Sequence, residues 1–117
     1  MRKVTRKFIS DLLETVAPTF PIGMHDKKTN GKRYLVLRRK MQQNSLTNAK
    51  GAWLYYEVLA YVPGTSILGS DELVDEVTAV LKSVYQIEVT GGIQGDYFDP
   101  TSNCYMQTIE FRVPNTI

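Results

Sequence analysis

The segment Trp53-Leu54-Tyr55-Tyr56-Glu57-Val58-Leu59-Ala60-Tyr61-Val62 constrains this chain more than any other. Read with a period of two, Leu54, Tyr56, Val58, Ala60 and Val62 line one side without a break. Trp53, Tyr55, Glu57, Leu59 and Tyr61 line the other. A strand that is apolar on both sides belongs in the middle of a sheet, or its outer side meets another molecule. The run is too short for a membrane-spanning helix and contains a carboxylate. The rest of the chain has to cover such a strand, and 117 residues with 43% hydrophobic content suffice for one domain with its own core, spanning 1–117.

Two helices are predicted. Over residues 5–17, Phe8, Ile9, Leu12, Leu13 and Val16 form one apolar stripe, and Pro18 stops the helix. Over 71–84, Leu73, Val74, Val77, Val80, Leu81 and Val84 form a second stripe. Ser70 is its expected N-cap, with Asp71 and Glu72 on the positive end of the dipole. Residues 17–23 read as an extended connector carrying Phe20 and Ile22 to the core. Arg33–Lys40 is a strand with Tyr34-Leu35-Val36-Leu37 buried, Gln86–Gln94 is another, bent at Gly91-Gly92, and Cys104–Val113 is the last. In the last, Tyr105, Ile109, Phe111 and Val113 face in, and Met106, Thr108, Glu110 and Arg112 face out. Asn30-Gly31, 63–66 and 99–103 read as turns.

The expected fold is therefore α+β in the order α-β-β-α-β-β. About four antiparallel strands form the sheet, and both helices cover one face. The basic start, residues 1–4, is expected to be flexible, and residues 114–117 to form a short tail. The polar segment 41–52 is long for a strand connection and reads as a docking or functional loop.

Chemistry is sparse. One cysteine excludes an internal disulfide, and one histidine excludes a two-histidine metal site. His25-Asp26 has no nucleophile near it in sequence and reads as a solvated loop pair. Cys104 reads as a small strand residue on the outward side. Glu72, Asp75 and Glu76 lack the Glu-x-x-His partner of a carboxylate-bridged metal site. Asp96, Asp99 and Asn103 lack calcium-loop spacing, and Gly91-Gly92-Ile93-Gln94-Gly95 lacks the Lys-Ser/Thr of a phosphate loop. No catalytic residue, metal or cofactor is expected. The start lacks the apolar core and cleavage site of a signal peptide, so the chain reads as soluble and intracellular at synthesis.

Charge is unevenly distributed. Residues 1–50 hold 12 Lys/Arg against three carboxylates, a formal +9. Residues 51–117 hold two against nine, a formal −7. This implies an anionic partner for the first half, or association through unlike surfaces, unless the halves interleave in space. Arg38, Arg39, Lys40 and Lys50 flank one strand and the polar loop, close to the aromatics of the central strand. Basic residues beside aromatics hold nucleic acid by phosphate contact and stacking, so a small nucleic-acid-binding domain using the basic first half is one reading. The element order differs from that of the RNA-recognition sheet, whose aromatic motif is also missing. The other reading makes Trp53, Tyr55, Leu59 and Tyr61 a subunit interface, where Trp and Tyr are enriched.

The layout, with Asp71-Glu72-Leu73-Val74-Asp75-Glu76-Val77, Asp96-Tyr97-Phe98-Asp99 and Tyr105-Met106-Gln107-Thr108-Ile109-Glu110-Phe111-Arg112-Val113, resembles the small tail-completion proteins of long-tailed bacteriophages. These comprise the tail terminators and the tail-to-head joining proteins. The likeness spans residues 5–113 and lies in layout and texture. It implies a non-enzymatic virion protein of a phage or prophage, made in the bacterial cytoplasm and placed at the head-tail junction. There it would form a ring, typically of six subunits, that stops tube growth. The implied partners are itself, the major tail tube protein, the head connector or stopper, and passing double-stranded DNA held by weak contacts, with no membrane. The two unlike surfaces that such joining needs match the +9/−7 split.

Overall fold

The computed structural model describes residues 4–21, 33–40, 53–63, 67–91, 97–99 and 104–114, with backbone alone at Pro21, Ile67, Leu68, Tyr97 and Asp99. The described elements run α1 (Arg6–Glu14), β1 (Thr19–Pro21), β2 (Tyr34–Arg39), β3 (Trp53–Pro63), α2 (Ile67–Lys82), β4 (Glu88–Gly91), β5 (Tyr97–Asp99) and β6 (Cys104–Pro114). The α+β class holds. The sheet is mixed and larger than expected, with six strands among the described residues. Five follow the order β1-β2-β3-β6-β4, and β5 also pairs with β6.

Three corrections follow from backbone pairing. The expected connector 17–23 contributes β1, which runs parallel to β2, with Phe20 opposite Val36. The Leu35 N–H donates to the Pro18 carbonyl at 2.8 Å and begins that pairing. β1 and β2 follow one another in the chain, and a three-residue strand is too short to show a period, so the pairing left no mark in the sequence. Next, Tyr97–Asp99 pairs with Cys104–Met106 as a short strand that the sequence did not predict, overlapping the expected turn 99–103 only at Asp99. Finally, Pro114 lies opposite Trp53 and belongs to β6 rather than to a tail.

β3 occupies the position its two-sided apolarity dictates, between β2 and β6. It pairs antiparallel with β6 over its full length, from Trp53 opposite Pro114 to Pro63 opposite Cys104. Both helices cover one face. Ile9 and Leu13 of α1 and Leu73, Val77 and Leu81 of α2 are fully buried against Leu35, Val58, Ala60, Ile109, Phe111 and Val113. Each such aliphatic side chain contributes about 1.5–3 kcal/mol by leaving water. Tyr56 stacks on Phe111 at 5.5 Å in the same layer.

Helix ends differ from the expectation. Thr5 caps α1, its Oγ1 accepting from the Phe8 N–H at 3.1 Å. Regular helix stops at Glu14, and Val16 and Ala17 turn back to the Leu13 carbonyl before Pro18. α2 starts at Ile67, so Ser70 is an interior residue and not the N-cap. Its hydroxyl is fully buried and accepts from Gln107 Nε2 at 2.7 Å, while Nε2 also reaches Asp71 at 3.2 Å. This polar tie fixes α2 on β6. Replacing Ser70 by Ala is expected to cost about 1 kcal/mol in urea unfolding, the net worth of one buried hydrogen bond.

The bend expected at Gly91-Gly92 is present at Gly91. Its φ of +107° is a region that side-chain-bearing residues avoid, and the β4–β6 register slips between Val89 and Gly91. The described strand is Glu88–Gly91, beginning two residues later than expected, and residues 92–94 lie outside the described residues. The turns at Asn30-Gly31 and 64–66, loop 41–52, His25-Asp26, and Asp96 and Asn103 lie outside the described residues.

Candidate functional site

The sheet face opposite the helices is the candidate site, because no described helix covers it. It divides into two halves along the strands. At the half nearer Cys104, Tyr34 stacks on Tyr61 with centroids 4.7 Å apart and rings 7° from parallel. Val36 and Cys104 complete this cluster, with Phe20, Leu59 and Met106 packed against it. Register explains the cluster, since Tyr34, Tyr61 and Met106 are direct cross-strand neighbours.

The other half is charged and aromatic. Arg38 lies opposite Glu57, which lies opposite Glu110. Two carboxylates facing each other across strands repel, and each has a cation. Arg38 Nη2 pairs with Glu57 Oε1, and Lys40 Nζ pairs with Glu110 Oε2 at 2.5 Å. Glu57 is buried, while Arg38 keeps about half its side chain in water. Next along, the Arg112 guanidinium sits 4.0 Å from the Trp53 ring centroid, a cation–π contact, and pairs with Glu88 at 3.0 Å. Its pKa is raised further above the usual arginine value, first by a side-chain hydrogen bond with Tyr55 and then by Glu88.

The four residues expected to form an interface therefore share this face but differ in access. Trp53, Tyr55 and Leu59 are half-buried. Tyr61 is buried under its own cluster and offers little to a partner. Of the four expected basic contacts, Arg38 and Lys40 are each neutralised by a carboxylate of the same face. Arg39 is exposed and has no ion-pair partner among the described residues, and Lys50 lies outside them. Cys104 is buried on the outward side, as its parity required.

The charge halves interleave at three points. Arg33 meets Glu76 at 2.6 Å, Arg38 meets Glu57, and Lys40 meets Glu110. Each joins the basic half of the sequence to the acidic half. Arg33 also donates to the Val16 carbonyl at 3.2 Å, so it ties α2 to the end of α1. Glu72, Asp75 and Glu76 lie on the wet side of α2. Among the described residues, no group of three or more His, Cys, Asp or Glu is placed to hold a metal. No described helix is long and apolar enough to cross a membrane.

The roles of Arg112, Glu88 and Glu110 escaped the sequence reading. Alternation gave the outward parity of Arg112 and Glu110, but their partners come from pairings between distant segments. Knowing that Tyr55 lies opposite Arg112 requires the β3–β6 register. The fold and site define a helix-backed mixed sheet with one helix-free face, amphipathic and internally charge-balanced. No protein-family model and no curated protein matches the chain.

Proposed function

We propose that this chain is a structural assembly protein of a phage or prophage tail, a tail terminator or tail-to-head joining subunit that works by docking and without catalysis. The observation that supports it best is the helix-free face. Trp53, Tyr55 and Leu59 are half-buried there, among cations already paired with carboxylates. Phosphate binding gains its free energy by releasing counterions from cations that are free to neutralise it. Arg38, Lys40 and Arg112 are poorly suited to that, since each would first leave a carboxylate. Aromatic and aliphatic area beside compensated charge suits a protein neighbour, with Trp, Tyr and Arg as anchors. In this reading the chain acts as a ring at the head-proximal end of the tail, against the tube protein below and the connector or stopper above. DNA passes with weak contacts only.

Negative-stain microscopy of the protein with phage tail tubes tests this reading. Density at one end of the tubes, lost when Trp53 is changed to Ala, is the expected result. Duplex DNA binding is measured in parallel and is expected to be weak at 150 mM salt. Bare tubes, together with tight DNA binding that falls steeply with salt, would replace the proposal with the nucleic-acid reading.

A further inference from the structure

The side chains of β3 and β6 do not by themselves select the register in which these strands pair. Glu57 lies directly opposite Glu110, and Tyr55 lies opposite Arg112 on the same face. The Lys40 N–H donates to the Tyr55 carbonyl at 2.8 Å, so Tyr55, Glu57 and Leu59 turn their backbone groups toward β2. Toward β6 they form non-hydrogen-bonded pairs, in which side chains come closest and like charges repel most. A shift of β6 by two residues keeps every side chain on its own face. It sets Arg112 opposite Glu57, Val113 opposite Tyr56, Phe111 opposite Val58 and Ile109 opposite Ala60. Inner pairs stay apolar, and a repelling outer pair becomes an attracting one. Against this shift, the two strands offer the Tyr56–Phe111 stack and the Arg112–Trp53 contact. The remaining support for the native register comes from outside the pair. Gln107 Nε2 donates to Ser70 and Asp71 of α2, and Arg38 and Lys40 make the facing carboxylates tolerable.

We propose that β6 seats on β3 in either of two registers, two residues apart, and that the ties from α2 and from the β2 side hold it in the native one. The device decides what the helix-free face presents. In the native register the Arg112 guanidinium covers the Trp53 ring at 4.0 Å. In the shifted register it moves to Glu57 and leaves that ring bare. Glu110 then lies opposite Leu59 and away from Lys40, so the face exchanges a capped aromatic for an open one and a paired lysine for a free one. Two packings of one sequence, separated by a few contacts, form a two-state element that binding elsewhere on α2 or β2 biases. The device is independent of what the face docks against.

Disulfide trapping tests it in a Cys104→Ser background, which removes the one native thiol. Leu59→Cys/Thr108→Cys joins residues that are opposite in the native register, and Tyr61→Cys/Thr108→Cys joins residues that are opposite only in the shifted one. Opposite residues lie within disulfide reach, whereas diagonal ones, about 7–8 Å apart, lie beyond it. With the ties intact, only the first pair is expected to close on mild oxidation. With Arg38→Ala, Lys40→Ala and Gln107→Leu added, closure of the second pair is expected to rise at least about tenfold, read by mass spectrometry without reduction. Adding Glu57→Val removes the group toward which Arg112 moves and is expected to lower it again. Gln107→Leu alone leaves both salt bridges in place, and it is expected to move the second pair in the same direction. Circular dichroism melts identify the variants that fold. A second pair that closes with the ties intact would show that they do not select the register. A second pair that stays open in every folded variant, Gln107→Leu included, would overturn the second register.

Discussion

Phe111→Ala is expected to lower stability by about 3–5 kcal/mol, the range for removing a fully enclosed ring from a core. Phe111 has no exposed surface and lies near one end of β6, between β3 and β4. It stacks on Tyr56 with the rings 12° from parallel. Truncation removes the transfer free energy of the ring and leaves a void that the eleven-residue strands on the β3–β6 pairing cannot easily close. With a total stability of about 5–15 kcal/mol for a domain of this size, the loss is a large fraction of the whole. A urea midpoint about 2 M lower is the measurable result, for a slope of about 2 kcal/mol/M. Tyr85→Ala is the control. That ring is 90% exposed, and its loss is expected to stay within about 0.5 kcal/mol. A Phe111→Ala midpoint indistinguishable from the control would show that the two strands do not share the core described.

Arg38→Ala is expected to cost about 2 kcal/mol, although Arg38 is half in water. The loss comes from what it leaves behind. Glu57 is buried opposite Glu110, and without Arg38 a carboxylate remains out of water beside a second one. Breaking a fully buried pair from one side costs about 3–5 kcal/mol, and the exposure of Arg38 brings the figure below that range. The double variant Arg38→Ala/Glu57→Val removes the stranded charge as well. It is expected to return to within about 1 kcal/mol of the unaltered protein, because apolar replacement of a buried ion pair is often neutral. Chemical unfolding of the two single variants and the double variant measures the coupling directly. Additive losses would mean that Arg38 and Glu57 do not interact, and the charge-balanced face would lose its central element.

How much of this was legible depended on the range of the interactions. Periodicity located β3, α1 and α2, because burial on a helix or strand repeats with a local period. It also placed Tyr34-Leu35-Val36-Leu37 in a strand buried on both faces. The three residues of β1 and of β5 are too few to show any period, and their strand character comes from pairing alone. Ser70 looked like a helix cap because its chemistry suits one. Tertiary burial against Gln107 gave the same hydroxyl another role. The face carrying the candidate site was visible as a set of outward residues. Its charge balance was not, since each ion pair on it joins different strands, and no residue type announces its partner.

The pairing of β3 with β6 has a consequence during synthesis. About forty residues separate the end of β3 from the start of β6. At about 5–20 residues per second, a ribosome delivers β6 roughly two to eight seconds after β3 has emerged. Throughout that interval the most aromatic and β-prone stretch of the nascent chain has one open hydrogen-bonding edge. The delay is longest when translation is slow, and the open edge matters most where other nascent chains are close, as on crowded polysomes. A chaperone that holds this edge in those seconds is expected to raise the yield in the cell, acting before the β3–β6 pairing can form.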